Sequence, residues 1–259
     1  MENQERVGEA ETLFRKIGFL LRKQCRNTVL ALILLFPVLS ITTFLTSCGI
    51  ESYPYLEPPD SSTIKEPLYG VEEIFQFGHN PDNNANYLKG YELYYKFYAD
   101  ERDEPDLESD RDAITEDPTT DKLESLKYRR LYSQDDVSDK PLIPVAEDNK
   151  KEDFYIYIDF SLMGGDDKPH PVITYNNNKI EFCRYVTVDS SDEPKTAGFL
   201  ESDFDPTSSY EDFNYSLADT DTGTFSVALY VVTYGTYDLI YDIYSEPAYL
   251  GRIELVAAH

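Results

Sequence analysis

The stretch that decides the fold is Tyr91-Glu-Leu-Tyr-Tyr-Lys-Phe-Tyr98, in which two sets of side chains alternate. One set is wholly apolar or aromatic and consists of Tyr91, Leu93, Tyr95 and Phe97. The other set contains both charges of the stretch and consists of Glu92, Tyr94, Lys96 and Tyr98. A period of two predicts a half-buried β-strand, with the first set facing the core and the second facing solvent.

Strand signals recur through the rest of the chain. Residues 154–162 alternate in the same way, and residues 225–234 are apolar on both faces, which is typical of a central strand. Asn176-Asn-Asn178 lies between two strand-like runs and predicts a hairpin, because asparagine tolerates positive φ angles. Residues 250–256 form a last strand. The sequence therefore predicts a mainly β fold without a long amphipathic helix.

Two blocks of sequence resemble fibronectin type III domains. Ile74-Phe-Gln-Phe-Gly78, the Asn-rich segment 80–86 and the run 89–97 resemble the B-to-C strand segment, with Phe75 or Phe77 replacing the usual tryptophan. Residues 228–235 and 244–251 are similar to the F-to-G pair. The resemblance implies an Ig/fibronectin III-like antiparallel β-sandwich over residues 69–259, enlarged by long insertions.

The most acidic insertion is segment 100–121, where eleven of 22 residues are Asp or Glu. Such a density of like charge predicts a solvated, mobile loop. Just after it, residues 120–131 are the best helical candidate, and that candidate is short.

The N-terminus has the order of a secretory signal peptide. Basic residues precede the eleven-residue apolar run 29–39, and small residues follow. Next comes Leu45-Thr46-Ser47-Cys48, which resembles the lipobox of bacterial lipoproteins. The resemblance implies that residues 1–47 are removed and that Cys48 receives palmitate-type acyl chains. The domain would then lie in the cell envelope, outside the cytoplasm and anchored to the membrane.

Two other interpretations of this region stay open: an uncleaved span over residues 29–45, and an ordinary cleaved signal peptide. Residues 48–68, rich in proline and serine, are expected to be a tether between the lipid and the domain. After removal of the signal peptide, Cys183 is the only unmodified thiol, and its strand-like surroundings predict a buried side chain.

The net charge of −26 excludes whole classes of partner. Nucleic acids and anionic lipid headgroups both need a basic surface, which no stretch supplies. Tyrosine, by contrast, is abundant, and outward-facing tyrosines predict a binding surface for an extracellular or periplasmic protein or for carbohydrate. The tyrosines assigned to this surface are Tyr94, Tyr98, Tyr155, Tyr157, Tyr230 and Tyr234. Tyrosine also suits exposed sheet faces that bind nothing.

No catalytic motif is visible, so the sequence predicts a non-enzymatic binding or structural module without a cofactor. The alternative is a cell-wall or carbohydrate-active enzyme that uses a pair of carboxylates. Asp219 and Asp221 begin like a calcium loop, but its twelfth position is Tyr230 where a glutamate is needed. A polar turn explains these two aspartates equally well, and no other metal site is expected.

Overall fold

The computed structural model describes residues 54–99, 104–138, 140–161, 170–187, 193–204, 210–214, 223–238 and 240–257. Pro54–His259 forms a compact unit. Its strands, in chain order, are β1 (Ile74–Gly78), β2 (Leu88–Ala99), β3 (Arg129–Arg130), β4 (Tyr132–Ser133), β5 (Ile143–Pro144), β6 (Tyr155–Asp159), β7 (Val172–Tyr175), β8 (Asn178–Val186), β9 (Lys195–Ala197), β10 (Thr224–Tyr237), β11 (Tyr241–Tyr244) and β12 (Ala248–Val256). Helices α1 (Glu104–Glu116) and α2 (Thr120–Ser125) lie between β2 and β3, and Ser61–Thr63 and Glu201–Phe204 form short 3-10 helices.

Within the described residues, the strands form two six-stranded antiparallel sheets. Sheet 1 has the order β1-β6-β7-β8-β4, with β9 also paired to β8. In sheet 2, β10 lies between β2 on one side and β11 and β12 on the other, and β3 and β5 pair with β2. Apolar side chains of both sheets share one buried core. The prediction of a mainly β, antiparallel fold is confirmed, and the arrangement is consistent with a β-sandwich.

Strand β2 carries the stretch that decided the fold, and its inward set is as predicted. Tyr91, Leu93, Tyr95 and Phe97 are all buried in the core that the two sheets share. The Phe97 ring contacts five other aromatic rings, with centroids 5.4–6.2 Å apart. Two of these rings belong to sheet 2 and three to the connection between β9 and β10, which therefore packs against Phe97.

The other strand predictions also hold. In β6 the side chains of Ile156 and Ile158 are buried and those of Tyr155 and Tyr157 are exposed. The β7–β8 hairpin turns at Asn176 and Asn177, whose φ angles are +41° and +63°, and positive φ at both positions is the requirement of a two-residue hairpin loop. Strand β10 is central in sheet 2, and β12 is the last strand.

A buried ion pair crosses this core. The Arg184 guanidinium is fully buried, and its Nη1 donates to both carboxylate oxygens of Asp212, at 3.0 and 3.1 Å. Tyr95 donates its hydroxyl to the same carboxylate. The carbon at the centre of the guanidinium lies 4.8–5.5 Å from the centroids of four aromatic rings, those of Phe97, Phe199, Phe204 and Tyr210. These contacts compensate for removing the two charges from water.

The acidic insertion is not a loop where the structure describes it, so that prediction is wrong for residues 104–116. This segment is the 13-residue helix α1, and Leu107 and Ile114 are buried. Leu107, Asp110 and Ile114 are three and four residues apart, which places them on one face of a helix. The prediction failed because it weighed the density of charge and ignored its spacing: most acids lie on the solvent face. Helix α2 confirms the first half of the other helical candidate.

The tether prediction is wrong for residues 54–68, which pack on the domain. Leu56 is fully buried, and the backbone of Glu57 bonds the side chains of Asn83 and Thr233. Farther along, the Lys65 N–H donates to the Gln76 carbonyl at the outer edge of β1. The prolines exclude a long α-helix here but leave the backbone of Lys65 free to pair with the edge strand β1, whose outer edge would otherwise stay open.

Candidate functional site

Four of the six candidate tyrosines are buried, so the predicted binding face of sheet 2 is not a surface. The exposed fractions of Tyr94, Tyr98, Tyr230 and Tyr234 are between 2% and 5%. Helices α1 and α2 pack against this face and enclose a second, smaller core with Leu107, Ile114 and Leu123. Tyr94 and Tyr98, which the alternation in β2 assigned to solvent, are thus buried as well, because helices α1 and α2 between β2 and β3 pack over the sheet.

Polar groups inside the second core are satisfied by one another. The Asp110 carboxylate on α1 accepts the Tyr98 hydroxyl at 2.6 Å and the Lys96 ammonium at 2.5 Å. The Tyr98 and Tyr128 hydroxyls are 2.7 Å apart. Burial, followed by the neighbouring Tyr128 and Asp110, raises the pKa of Tyr98, so this phenol stays protonated and donates. The network fastens α1 to the sheet and presents no reactive group to solvent.

The other two candidates, Tyr155 and Tyr157, stay exposed on the outer face of sheet 1, with exposed fractions of 48% and 40%. Tyr157 lines a groove of about 570 Å³, which we call the Tyr157 groove. Its walls come from β1, from the segment before β1 and from the end of β6. The lining residues are Lys65, Val71, Glu72, Glu73, Ile74, Gln76, Tyr157 and Ser161.

The Tyr157 groove is lined by exposed apolar side chains and has a charged rim. Val71 is 73% exposed and Ile74 is 40% exposed, although both are large apolar side chains. At the rim, the Lys65 ammonium lies 3.4 Å from the Glu72 carboxylate, which also accepts the Leu68 N–H. The backbone bond from Leu68, followed by Lys65, lowers the pKa of Glu72, so this carboxylate is ionised at neutral pH.

A second groove, of about 550 Å³, lies beside His79 and is lined by acidic residues and prolines. The His79 side chain is only 4% exposed and both of its ring nitrogens are bonded. Nδ1 lies 2.5 Å from the Tyr91 hydroxyl and Nε2 lies 3.1 Å from the Lys150 carbonyl. Burial lowers the pKa of His79, so the ring is neutral, and because both of its nitrogens are bonded within the protein it fills a structural position.

Sequence reasoning missed a polar cluster at the other end of the same sheet-2 face, outside the second core. Glu92 is fully buried there, and its Oε2 accepts Arg130 Nε at 2.6 Å. Burial raises the pKa of Glu92, opposed by Arg130. The signal was present in the sequence, because Glu92 shares its strand parity with Tyr94 and Tyr98. The charge of Glu92 instead led to the prediction that this side of β2 faces solvent.

Cys183 is buried and free, as predicted, and burial raises the pKa of its thiol to about 11. The lipobox residues and the calcium candidates Asp219 and Asp221 lie outside the described residues. Elsewhere, the described residues contain no group of three or more His, Cys, Asp or Glu that could hold a metal ion. None of the described helices is long and apolar enough to cross a membrane.

Comparison with known proteins gives no relative from which a function could be transferred. No family model, curated protein or solved structure matches this chain. The chemistry of the two exposed tyrosines and their groove therefore carries the functional interpretation.

Proposed function

We propose that this chain is an exported lipoprotein, anchored to a bacterial membrane through Cys48, whose domain binds another envelope or extracellular protein in the Tyr157 groove. The anchor rests on the signal-peptide order and on Leu45-Thr46-Ser47-Cys48. The role is that of a non-enzymatic binding module.

The observation that carries the binding role is the exposure of large apolar side chains around one groove. Most aromatic side chains of the described residues are buried, yet Val71, Ile74 and Tyr157 all face solvent here. Leu68 and Tyr155 are exposed close by in sequence and extend the apolar character. Contiguous exposed apolar surface with a polar rim is typical of protein-interaction sites.

A protein ligand fits this groove better than a carbohydrate. Among the described lining residues Tyr157 is the only aromatic one, and its neighbours Val71 and Ile74 are aliphatic. Aliphatic side chains offer no hydrogen bonds to sugar hydroxyls but pack well against an apolar side chain of a partner. Glu72 and Glu73 at the rim favour a partner that carries basic residues beside its apolar anchor.

The alternative, an enzyme that uses two carboxylates, finds little support in the groove. A glycosidase needs one carboxyl group that is protonated before the reaction, so its pKa must be raised. Glu72 has a lowered pKa, and Glu92, whose pKa is raised, is fully buried.

For the fold, we propose a fibronectin III-like sandwich. In such sandwiches strands B and E share one sheet and strands C, F and G share the other. Strand β1 pairs with β6 in sheet 1, and β2, β10 and β12 are neighbours in sheet 2. With β1 as B, β2 as C, β6 as E, β10 as F and β12 as G, the order is the same. The acidic helices then occupy an insertion after C.

Site-specific photo-cross-linking in cells tests the binding role. A benzophenone amino acid placed at Tyr157 should give a discrete cross-linked product, because the side chain lines the groove. The matched control is Tyr185, also exposed on sheet 1 but outside the lining of the groove, which should give none. Ile74→Arg, which puts a charge among the apolar lining residues of the groove, should abolish the cross-linked product at position 157. Identical products at both positions would contradict the proposal.

A further inference from the structure

At the end of the sheet-2 face that lies outside the second core, the ammonium group of Lys140 contacts a carboxylate, a phenol oxygen and aromatic side chains. Lys140 Nζ lies 3.1 Å from Asp242 Oδ2 and 3.0 Å from the Tyr244 hydroxyl. The same nitrogen lies 5.8 Å from the ring centroids of Tyr234 and Tyr244. An ammonium group within about 6 Å of an aromatic face is attracted by the ring quadrupole.

The three residues that contact Lys140, namely Tyr234, Asp242 and Tyr244, also contact one another. Tyr234 and Tyr244 are opposite each other on the paired strands β10 and β11, with ring centroids 5.4 Å apart. The Tyr234 hydroxyl donates to Asp242 Oδ1 at 2.8 Å, which orients the carboxylate so that its other oxygen meets the ammonium. Burial raises the pKa of Asp242, but the bonds from Tyr234 and Lys140 outweigh it and the pKa is lowered, so the carboxylate is ionised.

A second carboxyl group, that of Glu92, lies near these residues. Glu92 is fully buried, and although Arg130 bonds its Oε2, its Oε1 has no hydrogen-bond partner among the described residues. Glu92 interacts electrostatically with both Lys140 and Tyr244. Arg130 bonds Glu92, so Lys140 is the cation that pairs with Asp242.

We propose that Tyr234, Tyr244 and Asp242 form a binding site for a primary alkylammonium group, which the side chain of Lys140 occupies in this structure. We call it the ammonium cage. Three features match the ligand: the ionised Asp242 carboxylate and the Tyr244 phenol oxygen accept N–H donors, and the Tyr234 ring lies within cation–π range. Lys140 enters from solvent, since 37% of its side chain and 42% of that of Asp242 are exposed. An external ammonium group that displaces Lys140 therefore has a direct path.

Because Lys140 occupies the cage, a free amine must compete with the Lys140 side chain for it. A tethered group acts at an effective concentration in the millimolar range or above, so the wild-type cage should bind free amines weakly. Removal of the Lys140 side chain should open the cage. The cage lies on sheet 2 and the Tyr157 groove on sheet 1, so the two proposals stand or fall separately.

The test is calorimetric titration of the full-length chain, in non-ionic detergent, with n-butylammonium chloride as a mimic of the lysine side chain. Lys140→Ala should bind it at least about tenfold more tightly than the wild type does. Lys140→Ala combined with Asp242→Asn should lose that gain. The matched control is Arg129→Ala, because Arg129 pairs with the Glu211 carboxylate at a similarly exposed site but has no ring within cation–π range among the described contacts.

Equal affinities of the wild type and Lys140→Ala for n-butylammonium would overturn the proposal, as would the same gain in Arg129→Ala. Tetramethylammonium, which cannot donate a hydrogen bond, should bind Lys140→Ala more weakly than n-butylammonium. Equal binding would contradict the assignment to a primary ammonium group.

A measurement on the wild type does not depend on how the variants fold. Lys140 should react with acetic anhydride more slowly than Lys65, whose side chain is 63% exposed. Hydrogen bonds to Tyr244 and Asp242 outweigh burial and raise the pKa of Lys140, which reduces the neutral, reactive form of the amine. Mass spectrometry of partly acetylated protein reads both sites. Equal rates would show that Lys140 does not occupy the cage.

Discussion

Replacing Tyr98 by alanine is the sharpest test of the two-core arrangement. The strand pattern alone assigns Tyr98 to the wet face, where truncation should cost less than about 1 kcal/mol of unfolding free energy. In the structure the side chain is 2% exposed beneath α1. Emptying a packed aromatic site typically costs about 3–5 kcal/mol, a large part of the roughly 5–15 kcal/mol that stabilises a domain.

The hydroxyl group of Tyr98 can be tested by itself. Tyr98→Phe keeps the ring but removes the bond to the Asp110 carboxylate and the partner of the Tyr128 hydroxyl. A hydrogen bond to a charged group contributes about 1.5–3 kcal/mol, so Tyr98→Phe should cost about that much. The ring should account for the remainder of the cost of Tyr98→Ala.

Urea denaturation of the chain from Pro54 onward measures these free energies. The matched control is Tyr155→Ala, because Tyr155 was assigned to the same binding surface but is 48% exposed; it should cost less than about 1 kcal/mol. The slope of free energy against urea should stay unchanged, since it depends on the surface exposed by unfolding. If Tyr98→Ala costs no more than Tyr155→Ala, the helices do not cover the sheet and the second core does not exist.

Three further changes test other features. Cys48→Ser should leave an uncleaved precursor that takes up no radioactive palmitate, and normal labelling of this variant would contradict lipidation. Because burial lowers the pKa of His79, the unfolded chain binds a proton that the folded chain does not, so this residue reduces stability as pH falls below about 6.5. His79→Gln should therefore show a smaller loss of unfolding free energy than the wild type between about pH 7 and pH 5.5, and equal losses would rule this out. In the core, Asp212→Ala leaves the buried Arg184 without its carboxylate and should cost about 3–5 kcal/mol. Combining it with Arg184→Met should recover part of that loss; strictly additive costs in a double-mutant cycle would show that the two charges do not interact.

The ammonium cage shows why tertiary proximity lies beyond sequence reasoning. Lys140 precedes the short strand β5, whereas Asp242 and Tyr244 belong to β11, about a hundred residues later. No regular spacing in the sequence predicts that these residues meet. They meet because β5 and β10 both pair with β2, and β11 pairs with β10. The same holds for the Tyr157 groove, which needs segment 65–73 to return along β1.

The local sequence was sufficient to predict features that depend on a single strand or turn. The alternation in β2 and β6 identified the inward side chains of each, and asparagines at positive φ located the β7–β8 hairpin. A period of two can be interpreted in this way because neighbouring side chains of a strand point to opposite faces. That much of the protein was determined by its sequence alone.

What covers each face was decided only by the tertiary structure. Tyr98 and Tyr157 are both outward residues of aromatic strands, yet α1 buries the first and nothing described covers the second. The many acidic residues of α1 led to the prediction of a loop, although Leu107, Asp110 and Ile114 have the spacing of three and four residues that is typical of one helix face. Parity shows on which side of a sheet a residue lies, but burial depends on whether a distant segment packs against that side, and that is a property of the whole chain.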